Sequence, residues 1–124
     1  MKTAGERDSM KRIDYSVSRR EIATDDDLRL TYRGEPFTGE AVETIGDQLL
    51  FQVFYVDGIP HGPDREWWAD GPIKSEGQVN YGVPVGIWRT WHHNGQLASE
   101  QEFDDEGDPI ETRTWDESGN PIEN

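Results

Sequence analysis

The chain of 124 residues contains no cysteine, which excludes a disulfide framework and any thiol chemistry. It also lacks a long apolar run. The longest, residues 49–56, is broken by Gln52 and falls far short of the ~20 apolar residues that a membrane-crossing helix needs. Residues 1–10 lack the apolar stretch of a secretory leader. Together these absences predict a cytoplasmic protein. Apolar residues are scarce, at 32% against 31% charged, a balance that often leaves a chain disordered. Aromatic residues oppose that reading: five Trp, four Tyr and four Phe recur at regular places.

Positive charge is the other shortage. Residues 1–24 carry six Lys/Arg and four Asp/Glu, but residues 25–124 carry six against 22. Residues 98–124 set ten acids against Arg113 alone. A chain with net charge -14 is repelled by nucleic acid and by anionic lipid and favours a basic partner. Catalytic signatures are missing too. There is no nucleophile elbow, phosphate loop, Cys-His pair or zinc spacing, so neither an enzyme nor a cofactor is expected.

What is present is a repeat. Gly34, Gly58 and Gly82 are 24 residues apart, and Gly107 follows at 25. Gly71, Gly95 and Gly119 keep the same 24-residue spacing, as do Trp67, Trp91 and Trp115. Leu49, Ile73 and Leu97 share it, and so do Tyr55, Val79 and Phe103. Glycines, aromatics and aliphatics in one register indicate a repeating supersecondary unit. Each unit reads as a β-hairpin. Asn94-Gly95 predicts a type I′ turn, with Asp70-Gly71 and Ser118-Gly119 at the same place. Second turns fall at Asp57-Gly58, Tyr81-Gly82 and Glu106-Gly107. The fold class predicted is all-β: one antiparallel meander of about four hairpin repeats over residues 32–124. In the first, degenerate unit, Ala41 and Thr44 take the places of Trp88 and Trp91. Residues 1–31 lie outside the register and form an N-terminal cap, its first ten or so residues frayed. Within it, Tyr15, Val17 and Ile22 suggest one or two short strands, and Asp25-Asp26-Asp27 a turn or solvated edge.

The third unit resembles the variant MORN repeat of the YwqK-like antitoxin proteins. Gly82, Pro84, Gly86, Trp88, Trp91, Asn94, Gly95, Leu97, Glu100 and Phe103 carry the likeness. The second unit shares it through Gly58, His61, Gly62, Trp67, Gly71, Ile73 and Glu76, and departs at Asp64, where Trp is usual. The fourth keeps Gly107, Trp115, Gly119 and Ile122 but lacks the glycine before Trp. The resemblance implies a bacterial antitoxin or immunity-type protein that neutralises a basic cognate toxin by covering it. Two other roles fit such a repeat. One is a general MORN-like scaffold for protein or membrane docking, the membrane being disfavoured by charge. The other is a carbohydrate-binding module.

Candidate partner-binding residues follow from breaks in the repeat and from charge. Trp67, Trp91 and Trp115 recur and are expected in a core shared by the units. Trp68 and Trp88 have no aromatic counterpart, which marks them as contact residues, and Trp68 aligns with His92. Glu76 and Glu100 share a column behind Gln52; with Glu102 and Arg89 they form a contact stripe, or a ladder of like charges that destabilises the sheet. Asp104, Asp105 and Glu106 form an acidic turn that lacks the ligand spacing of a calcium loop. His92 and His93 are neighbours on the chain and diverge, so no metal site is expected with His61.

Overall fold

The computed structural model describes residues 11–123, so the expectation of a frayed start over residues 1–10 lies outside the described residues. The main sheet has nine strands in the order β1-β5-β6-β7-β8-β9-β10-β11-β12. From β5 onward every neighbour in the sheet is also the neighbour in sequence. The strands are β5 (Gly39–Ile45), β6 (Gln48–Val56), β7 (Ile59–Trp67), β8 (Ile73–Asn80), β9 (Val83–Trp91), β10 (Leu97–Phe103), β11 (Pro109–Trp115) and β12 (Pro121–Ile122). All of these pairs are antiparallel, giving four hairpins in one meander. The exception is β1 (Arg12–Asp14), which runs parallel to β5 at the edge.

The repeat extends to the irregularities. Leu50, Lys74 and Ala98, 24 residues apart, are each skipped by the ladder within their hairpins. A bulge at the same place in three hairpins adds the same local twist to each. Ala41 and Thr44 pair with Val53 and Leu49, as Asp64 and Trp67 pair with Gly77 and Ile73, so their assigned places in the repeat are correct.

The turns are assigned the other way round from the sequence expectation. Arg33, Asp57 and Tyr81 have positive φ (54°, 50° and 44°), and each precedes a positive-φ glycine. These pairs are the I′-type turns. At Asn94-Gly95 only the glycine is left-handed. There the loop is five residues long, closed by Gly95 N to His92 O (2.9 Å) and His92 N to Gln96 O (2.9 Å). A type I turn followed by one left-handed residue needs only one glycine. Loops 68–72, 104–108 and 116–120 repeat these two bonds. In two of them the leading residue reinforces the loop: the Oδ1 atoms of Asp104 and Asp116 each accept two backbone N–H groups at 2.9 Å.

The cap is a second, three-stranded sheet of β2 (Ile22–Thr24), β3 (Leu30–Tyr32) and β4 (Glu35–Pro36). It uses residues from both sides of the expected 31/32 boundary. Tyr15 and Val17 belong to a single helical turn, α1 (Tyr15–Ser18), rather than to a strand. The Asp14 side chain accepts from Ser16 N and bends the chain out of β1, a local bond that competes with strand pairing. Asp25 leads the β2–β3 loop as Asp104 leads its own, and Leu28 takes the left-handed position at φ 65°.

The buried core sits at this end. Ile13, Leu30, Phe37 and Ala41 are buried, with Tyr15, Ile22, Tyr32 and Tyr55 packed around them. The rings of Tyr32, Phe37 and Tyr55 meet edge to face. The turn at Gly58 docks on the cap: a side chain there would lie 2.7 Å from the Arg29 Cβ and the Leu30 carbonyl. Beyond β6 only Gly58 and Gly77 are buried among the described residues. A core shared along the repeats, built on Trp67, Trp91 and Trp115, is therefore not what forms. Those three are half-buried on a single-layer sheet: among the described residues nothing is packed over β7–β12 on either face.

Candidate functional site

Residues opposite each other across a ladder share a face, and this sheet has two very different ones. On one face Gln52, Arg65, Glu76, Arg89, Glu100 and Arg113 are successive partners across six strands. Arg65 Nε donates to Glu76 at 3.1 Å and its Nη1 to Gln52 at 2.9 Å. Gln52 in turn donates to Glu40, which accepts two bonds of 3.0 Å from Arg12. Arg89 Nε donates to Glu100 at 2.8 Å. The row thus alternates in sign. Glu76 and Glu100 do not form a ladder of like charges, because each column of the repeat is separated from the next by an arginine. The Arg12 hydrogen bond holds the Glu40 carboxyl below its ordinary pKa, against the opposing effect of burial. Flanking the charged row, Trp67, Ile73, Trp91, Leu97, Trp115 and Pro121 are partners in the next row toward the loops.

The opposite face carries the cap. Over β5 and β6 it is covered by the core aromatics, with Tyr15 set edge-on to Phe51 at 5.4 Å. From β7 onward no described residue covers it. Here Asp64 pairs with Gly77, and the indole of Trp88 lies on that glycine: a Cβ at Gly77 would sit 2.0 Å from the ring. Trp88 Nε1 donates to the Gln78 carbonyl at 3.0 Å. Beside it Pro84, Thr90, Ser99, Gln101 and Phe103 line a depression of about 190 Å³. Asp64 takes the Trp88 position one repeat earlier. Burial first, then the Glu66 charge, raise its pKa, and no cation is set against it among the described residues. Tyr55 nearby is pushed up to about 12 by burial, by Tyr15 and by Asp64.

At the loop end, a groove of about 430 Å³ runs between Glu66, Trp68, Ser75, Thr90, His92 and His93. Trp68 is held between Lys74, 4.7 Å above its ring, and His93, edge-on at 5.4 Å. Its indole nitrogen is buried without a hydrogen-bond partner. His93 Nε2 reaches both Asp70 oxygens (2.7 and 2.9 Å), and that bond lowers the Asp70 pKa. His92 Nε2 instead meets the Trp115 carbonyl at 2.8 Å, so the two imidazoles point to different neighbours.

The sequence-derived candidates do not converge on one spot. Trp68 and His92 meet in the loop-end groove. Glu76, Glu100 and Glu102 lie on the charged face, where Glu102 faces Glu111 across the ladder beside Ile87. Trp88 lies on the cap-bearing face. Asp104, Asp105 and Glu106 sit in a loop at the far end of the sheet, with Asp104 occupied in its own turn. Asp64 and Glu66 were missed; the signal for Asp64 was its break in the repeat, at the place of a tryptophan. No helix among the described residues is long and apolar enough to cross a membrane. Neither a protein-family model nor a curated protein matches the chain.

Proposed function

We propose that this chain is a non-catalytic repeat protein that binds and covers a basic protein partner, acting as an antitoxin or immunity protein. The observation that carries the reading is the excess of carboxylates over the cations available to hold them. Of the six Lys/Arg in residues 25–124, Arg33, Arg65, Lys74, Arg89 and Arg113 are each engaged by a carboxylate. Arg12, Arg19 and His93 hold Glu40, Glu43 and Asp70, and among the described residues most of the other acids have no cation against them; such a surface steers a basic cleft toward itself. The antitoxin role rests on the resemblance of the third repeat to YwqK-like proteins.

Co-expression tests the proposal. The chain should protect its host cell from a basic toxin encoded beside it, and purified complexes should weaken as salt rises across the physiological range. Failure to protect against any neighbouring toxin, or capture that is indifferent to salt, contradicts it.

A further inference from the structure

We infer that the basic partner docks on the cap-bearing face of the sheet, over β7–β10, with Asp64 receiving one of its cationic side chains. This rests on the protein-binding reading above and adds a place and a chemistry to it.

The argument begins with what already covers that face. The cap packs its aromatics on β5 and β6 and stops there. Among the described residues the same face continues past β6 without a covering layer, so a partner seated there extends an interface the protein itself has begun. The opposite face is different in kind. Its carboxylates Glu40, Glu76 and Glu100 already hold Arg12, Arg65 and Arg89, and a partner cation must displace an arginine to reach them.

On the open face one carboxylate, Asp64, is uncompensated among the described residues. Asp64 is half-buried, faces Val53 and Gly77 across its two ladders, and has no cation of its own among the described residues. Its strand neighbour Glu66 reaches only Lys74, at 3.5 Å. The Trp88 ring lies on Gly77, the residue directly opposite Asp64, which puts the indole and the carboxylate on one face across one ladder. A carboxylate beside an indole, partly removed from water, suits a guanidinium or ammonium, which gains a charge-assisted bond and an aromatic contact. Thr90 and Ser99, bonded to each other at 2.6 Å, and the Pro84–Phe103 depression continue the surface with hydroxyl and apolar groups. The occupant is therefore a protein segment carrying alternating basic and apolar side chains.

The test is a titration of the isotope-labelled full chain with a blocked ten-residue peptide alternating Arg and Leu, followed by amide chemical shifts. Perturbations are expected at Asp64, Glu66, Gly77, Trp88 and Gln101. Asp64→Asn should weaken binding about tenfold, the loss of one charge-assisted bond. Glu102→Gln, which removes the same charge from the other face, should change it less than about twofold. If the shifts centre on residues 98–117 of the charged face, or both variants weaken binding equally, the docking face is wrong while the basic-partner reading stands. If the peptide binds nowhere, both fall. A neutral oligosaccharide that perturbs these residues when the peptide does not assigns the face to sugar and overturns the inference.

Discussion

Trp88 and Gly77 show how one side chain acquires a role that only register reveals. In sequence Trp88 is an aromatic without a counterpart in the other repeats; in the sheet its ring replaces the side chain that Gly77 lacks. Gly77→Ala forces the ring aside and should cost about 1–3 kcal/mol in a denaturation experiment. Combined with Trp88→Ala, the loss should fall well short of the sum, since the clash is then gone. Two carboxylates make opposite predictions with pH. Glu40, hydrogen-bonded by Arg12, has a folded pKa below its ordinary value. Its contribution is complete above the ordinary glutamate range and is lost as pH falls through the folded pKa. Asp64, raised by burial and by Glu66, behaves the other way: its charge costs stability at neutral pH, and that cost disappears as acid protonates it. Thermal melts should therefore show Asp64→Asn stabilised at pH 7 but not at acid pH, and Glu40→Gln destabilised at pH 7 but not at acid pH. The first residue was visible as a break in the repeat. The second pair was not, because Arg12 lies outside the repeat and reaches Glu40 only through the parallel β1–β5 pairing.

The hairpins were legible in the sequence because glycine and aromatic spacing is a direct image of turn and strand length. Turn type was not. Asn-Gly favours a two-residue turn, but here the loop closes over five residues and uses only the glycine's left-handed freedom, while Tyr81 and Asp57 accept the positive φ instead. What the period also hid was the partner of each column. Glu76 and Glu100 are 24 residues apart, and only the intervening strand shows that Arg89 lies between them. Arg89→Ala removes this separator and should destabilise the chain by about 1 kcal/mol, a loss that shrinks at high salt. Truncating Arg113, whose carboxylate partner Glu111 is on its own strand, should cost less. At the β2–β3 loop, Leu28 holds φ 65° and is 83% exposed. Leu28→Gly should stabilise by about 1 kcal/mol, since a left-handed leucine gives nothing back in packing.

At the scale of the whole molecule the protein is a ribbon anchored at one end. Among the described residues apolar burial is concentrated where the cap meets β5 and β6, and each later hairpin is tied mainly to its neighbours by ladder bonds, charge pairs and loop contacts such as His93–Asp70 and Asn94–Glu117. The sequence showed the ribbon but placed the core along the tryptophan column. It could not show that these indoles lie on a single layer, because a large aromatic repeated at a fixed interval reads the same whether a second layer covers it or not. An arrangement of this kind loosens by distance from its anchor, as linear repeat arrays do. Residue-resolved amide hydrogen exchange of the free chain tests this most directly. Protection should be greatest in β5 and β6, decline through β7–β10, and be least in β11 and β12. Uniform protection along the sheet, or a maximum at Trp91 and Trp115, would contradict it.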